Sequence, residues 1–268
     1  MTAPAFGEPA AAVGLAPSFA AVRARLGLVT LLFALAAVAW WSTVDRMRGM
    51  NGGPGTNLGT LGWFVGIWVV MMAAMMFPST APTVALYSRM TRSRSPVAPL
   101  VFVGGYLLTW TAAGVLAFAL SDLGSRAVGD ALAWDRGGRW FAGTVLAIAG
   151  VYELTPFKDA CLGRCRSPLG FLLGSWQDGI SGAVRLGAKH GAWCVGCCWA
   201  LMAALFALGV MSIAWMAFIA GLIALEKLIP SRRFATNGTA ALLLALSVLL
   251  VAAPDLIPGF TVPGSGMA

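Results

Sequence analysis

The chain has 268 residues, of which 59% are hydrophobic and only 10% charged, with a formal net charge of +8. That balance excludes a disordered chain and points to several membrane spans. The basic residues lie in short segments between apolar runs, not in a patch interleaved with aromatics on a soluble domain, so nucleic acid is not an expected partner.

Residues 1–22 are rich in Ala, Pro and Gly and contain no basic residue. They lack the basic n-region of a signal peptide and read as a disordered tail. Arg23 and Arg25 open a helix bundle expected over residues 23–254, followed by a C-terminal tail over 255–268. A span needs about 20 mostly apolar residues. Spans are expected near 26–44, 61–86, 97–121, 139–157, 191–209, 211–229 and 235–253. The first ends in Trp40-Trp41, an aromatic pair suited to the membrane interface. The run from Gly191 to Leu225 is free of charge. As one helix it would be about 52 Å long, well beyond a hydrocarbon core of about 30 Å. It is therefore expected to form a hairpin turning near Gly209 to Ser212. Between Lys158 and His190 the chain is too charged to span. Its pattern of Leu169, Phe171, Leu172, Trp176, Ile180 and Val184 against Asp178, Arg185 and Lys189 suits an interfacial helix. The expected fold class is all-α: a polytopic membrane helix bundle of about seven transmembrane helices plus one interfacial helix, with the lipid bilayer as its first partner.

Charge gives an orientation, because Lys and Arg favour the cytoplasmic side. With the N-terminus inside, the inner segments carry Arg23 and Arg25; Arg89, Arg92 and Arg94; Lys158, Arg164, Arg166, Arg185 and Lys189; and Lys227, Arg232 and Arg233. The outer segments carry only Arg46, Arg48, Arg126, Arg136 and Arg139. The expected location is the inner membrane of a bacterium, with the N-terminus cytoplasmic and the C-terminus external.

This topology brings three sulfur-bearing regions to one depth, on the inner side. Met71, Met72, Met75 and Met76 lie in the inner half of the second span, followed by Pro78, which removes a backbone hydrogen bond. Cys194, Cys197 and Cys198 share one helical face at the start of the fifth, and Met202 extends it. Cys161 and Cys165, four residues apart, follow the fourth span, beside Lys158, Arg164 and Arg166, whose charges favour thiolate. Thiolate and thioether ligands select copper(I) and other soft ions. Each cluster also has a plain packing reading, since buried Cys and Met fill gaps between helices. His190, the only histidine, precedes Cys194 by four residues and reads either as a ligand or as an interfacial polar residue. Glu153 and the Glu226-Lys227 pair fall near the inner ends of their spans. An intramembrane acid is a functional candidate, although near an interface it often snorkels or pairs with a lysine. No Ser-His-Asp order, HExxH or phosphate-cradling loop is visible.

Four blocks carry a family resemblance. They are MMAAMMFPSTAPTVALY in the second span, YELTPFKDACLGRCRSP from Tyr152 to Pro168, GAWCVGCCWALMAALFALGVM from Gly191 to Met211, and LEKLIP from Leu225 to Pro230. In these the chain resembles a bacterial family of metal-binding integral membrane proteins of unassigned function, sometimes labelled copper chaperones. The resemblance implies Met71, Met72, Met75, Met76, Cys161, Cys165, Cys194, Cys197 and Cys198 as candidate metal ligands. The first expectation is thus copper(I) binding for delivery or transport, with a copper-handling protein or membrane complex as partner and no organic cofactor. Two other readings stay open. The C-x-x-C spacing of Cys194 and Cys197 also suits a membrane thiol–disulfide oxidoreductase, and the chain could be a structural subunit of a larger membrane complex.

Overall fold

The computed structural model describes residues 16–47, 59–91, 95–128, 137–209, 212–229 and 231–253, with side chains of the first helix from residue 26 to 46. The expected tails, apart from residues 16–22, lie outside the described residues. Among the described residues every regular element is a helix: α1 (Ala16–Met47), α2 (Leu61–Thr91), α3 (Ala98–Val128), α4 (Arg139–Glu153), α5 (Pro156–Cys165), α6 (Pro168–Ser175), α7 (Gly179–Gly209), α8 (Ile213–Leu228) and α9 (Arg232–Ala252). Helices α1, α2, α3, α7 and α9 are long and apolar enough to cross a membrane. Helices α4 and α5 pass the same test together, bent by 70° at the break between them. Helix α8, at 16 residues, rises about 24 Å, less than the core of about 30 Å. Large apolar side chains such as Phe33, Val38, Leu116, Leu120 and Val248 face outward. In water such a surface would drive association; in a bilayer it faces lipid. The protein is built as a multi-pass membrane protein.

The segment between Lys158 and His190 folds differently from the single interfacial helix expected. Pro156 and Pro168 sit in the first turns of α5 and α6, where a missing N–H costs nothing. Gly179, at φ +81°, separates α6 from α7 in a conformation that favours glycine. From there nothing stops the helix. Gly182, Ala183, Leu186, Gly187, His190 and Gly191 are all buried and continue the stripe that carries Cys194. Helix α7 therefore begins a dozen residues before the apolar run does. It ends at Gly209, at φ +117°, and the Ser212 side chain caps α8 by accepting from the Trp215 backbone N–H.

Small residues set the helix spacings around the core. A Cβ at Gly187 would strike the Phe102 carbonyl oxygen, and one at Gly105 the Val184 carbonyl oxygen. The backbones of α3 and α7 thus nearly touch, as small residues allow in membranes. Thr109 adds a hydrogen bond from its hydroxyl to the Ala188 carbonyl, 3.1 Å. This contact is what brings Tyr106 of α3 beside Cys194 of α7. Helix α9 packs on α4 over Gly143 and Gly150, against the side chains of Val251 and Leu244. Helix α2 continues through Pro78 and Pro82. The Ser79 and Thr80 hydroxyls donate to the Met76 and Phe77 carbonyls, the kind of local side-chain bond that lets a membrane helix tolerate proline.

Candidate metal centre

The break between α4 and α5 builds one wall of the site. Thr155 caps α5, accepting from the Lys158 backbone N–H, and Pro156 follows it. The bend lays α5 along α7, so that Cys165 meets Cys194 and Cys197. The sulfurs of these three residues all lie within 4.8 Å of one another and all three residues are buried. Cys198 joins them at the edge, its sulfur 3.3 Å from that of Cys197. Cys161 is buried but outside the triad. It packs on Gly196, where a Cβ would lie 3.0 Å from its sulfur. The cysteines are free thiols.

Of the four methionines, Met76 reaches the cluster, its sulfur 4.0 Å from Cys194 Sγ. Met71, Met72 and Met75 are buried along α2 in the same apolar core. Met72 lies one turn from Met76. Helices α2 and α7 thus approach one another at Met76 and Cys194. His190 is also buried, its ring among Phe102, Tyr106 and Phe171 at centroid distances of 5.0 to 5.9 Å. Neither of its nitrogens has a hydrogen-bond partner among the described residues. It stands one turn from Cys194 without entering the sulfur triad.

Two further groups touch the cluster. The Tyr106 hydroxyl is 3.1 Å from Cys194 Sγ. Lys227 Nζ lies 3.2 Å from Cys194 Sγ, 3.8 Å from Met76 Sδ and 3.1 Å from Ser79 Oγ. An ammonium placed among sulfurs offsets the charge of thiolate, and it can do so for a loaded cluster as well. Its neighbour Glu226 points elsewhere, to Lys158, because successive helical residues face different directions. The sequence signal for Lys227 was the Glu-Lys pair at the end of an apolar run. Nothing in that signal told which of the two residues served the sulfurs.

A metal–thiolate bond of about 2.3 Å, the value for zinc–sulfur, sets three ligands of a trigonal site about 4 Å apart. The triad needs only a small contraction to reach that. Its donors are all sulfur, and the nearest acids are engaged by Lys158. The family model described as a copper chaperone, PpoB2, matches residues 65–250.

The chain belongs to the PpoB2 copper chaperone family. No curated protein and no solved structure matches it. The matched region holds all five cysteines, Met71, Met72, Met75 and Met76 of α2, His190 and Lys227. For a copper chaperone, a buried all-sulfur cluster inside a set of membrane-crossing helices is a chemically apt place for a soft metal.

Proposed function

We propose that this protein binds copper(I) within the bacterial inner membrane for delivery or transport, with Cys165, Cys194 and Cys197 as the holding ligands. One observation carries the reading: three buried cysteine sulfurs from two helices within 4.8 Å of one another. An all-sulfur donor set favours copper(I) over hard cations. Cys198 serves as an alternate thiolate beside Cys197. Met76 acts as a neutral, exchangeable thioether next to Cys194, with Met72, Met71 and Met75 extending a soft-donor track along α2. Cys161 and His190 are the remaining donors near the cluster, suited to hand-over rather than to holding. The alternation of basic residues supports a cytoplasmic N-terminus and, with the 16-residue α8 as a short additional crossing, an external C-terminus, which puts the cluster toward the cytoplasmic side. A copper-handling protein there is the expected partner.

The test is copper(I) stoichiometry of the purified, folded protein with and without Cys197→Ser and Cys198→Ser together. One ion per chain in the wild type and none in the variant is the expected result. Full stoichiometry in the folded variant would sink the proposal. The 3.3 Å approach of the Cys197 and Cys198 sulfurs favours thiol–disulfide exchange as the second reading. Loss of two titratable thiols under a mild oxidant, with no copper bound, would select it instead.

A further inference from the structure

Two acids and one lysine are buried together away from the sulfur triad. Glu153 is the last residue of α4, Lys158 lies in the first turn of α5, and Glu226 lies near the end of α8. Their exposures are 2%, 0% and 1%. Lys158 Nζ donates to Glu153 Oε1 at 2.7 Å and to Glu226 Oε2 at 2.8 Å. Glu153 Oε2 lies 2.7 Å from the same nitrogen but receives no directed hydrogen bond, and Glu226 Oε1 receives none from any described residue. Fully ionised, the triad would carry two negative charges against one positive.

Among the described residues, Lys158 is the cation recorded as paired with the two carboxylates. Arg166, following α5, donates its guanidinium to the main-chain carbonyls of Glu226 and Ile229. Lys227 is turned toward Cys194, Met76 and Ser79. From α9, Arg232 pairs with Asp159 at the surface, 3.5 Å. From α7 the facing group is the Cys198 thiol, which interacts electrostatically with Lys158. Helix α2 presents Ser79 and Met76 toward α8 and no charge. A net buried charge is costly, and two carboxylates gathered on one ammonium relieve that cost by sharing one proton.

We propose that Glu153, Lys158 and Glu226 form a buried proton-binding site that holds one proton between the two carboxyl groups at neutral pH. The proton comes from water and no bond between heavy atoms changes. Bound, it makes the triad neutral and supplies a donor to an otherwise unpartnered carboxylate oxygen. The site shares α5 with Cys165 and α8 with Lys227. The site itself requires no metal and does not rest on the copper(I) reading.

The experiment is infrared spectroscopy of the full-length, metal-free protein in detergent at pH 7. Glu153 and Glu226 are the buried acids among the described residues. The wild type should show a protonated-carboxyl carbonyl band that shifts in heavy water. The band should be lost in Glu153→Gln, which leaves a neutral Lys158–Glu226 pair and should melt no lower than wild type. Glu226→Gln is the matching variant if the first does not fold. Absence of the band in the wild type at pH 7 would overturn the proposal without recourse to any variant. So would its disappearance on adding sodium at constant pH, which would make the site one for a metal cation. A Glu153→Gln protein that keeps the band would overturn it as well.

Discussion

Replacing Lys227 with Met removes the ammonium 3.2 Å from Cys194 Sγ while keeping an unbranched apolar stem. Three thiolates around one copper(I) carry a net charge of minus two. One thiolate paired with the ammonium before loading carries minus one. Loading thus adds a unit of negative charge near Lys227. At an effective dielectric of about 20, a unit charge at 3.2 Å is worth about 5 kcal/mol, and one at ~6 Å, the far side of the sulfur triangle, about 3 kcal/mol. At about 1.4 kcal/mol per tenfold, Lys227→Met should weaken copper(I) binding roughly a hundredfold to several-thousandfold. The assay is competition with a chromogenic copper(I) chelator under anaerobic conditions at fixed pH. Ser79→Ala is the control. It removes the neutral partner of Lys227 at 3.1 Å in both loaded and unloaded states, so its effect largely cancels and should stay under about tenfold. If Lys227→Met binds copper(I) within threefold of wild type, the ammonium has no part in the charge balance and the reasoning fails.

Cys165→Ser should abolish stoichiometric copper(I) binding whereas Cys161→Ser should preserve it, as read by metal analysis after gel filtration; equal losses would mean that the triad is not the holding site. Met76→Leu conserves volume and apolarity, so it should leave thermal stability and copper(I) stoichiometry near wild type while slowing transfer of copper(I) to a chelator in stopped-flow. Transfer at the wild-type rate would return Met76 to a packing role. Gly187→Ala drives a Cβ into the Phe102 carbonyl oxygen and should destabilise the fold by about 1–3 kcal/mol, the usual range for overpacking, read as a lower melting temperature in detergent. Gly104→Ala, where a Cβ meets nothing within 4 Å, should not.

Much of the architecture was legible because apolar length and charge are one-dimensional signals. The runs that became α2, α3 and α9 stand out by apolar length, although α3 continues through Asp122 and Arg126 to Val128. The segment between Lys158 and His190 was not, since its apolar pattern suited one amphipathic helix and the decisive features were three breakers: Pro156, Pro168 and Gly179. The early start of α7 goes with Gly187 and Gly191, whose value lies in contacts with Phe102, Tyr106 and Thr109 of α3 that no local pattern reveals. The cysteines announced themselves by spacing, but not which of them would meet. Cys161 and Cys165 share a face, yet only Cys165 joins the triad, because the 70° bend after Glu153 sets where α5 lies on α7. Lys227 was the least legible residue of the site. A lysine at the end of an apolar run ordinarily reaches for the membrane surface, and only the packing of α8 against α2 and α7 turns it to the sulfurs.

X-ray absorption at the copper edge of the copper(I)-loaded, full-length protein tests the central claim most directly. Cys165, Cys194 and Cys197 as holding ligands predict one copper(I) per chain in a shell of three sulfurs, with the third sulfur lost in Cys165→Ser. A shell dominated by nitrogen or oxygen, or a three-sulfur shell unchanged by Cys165→Ser, would contradict it.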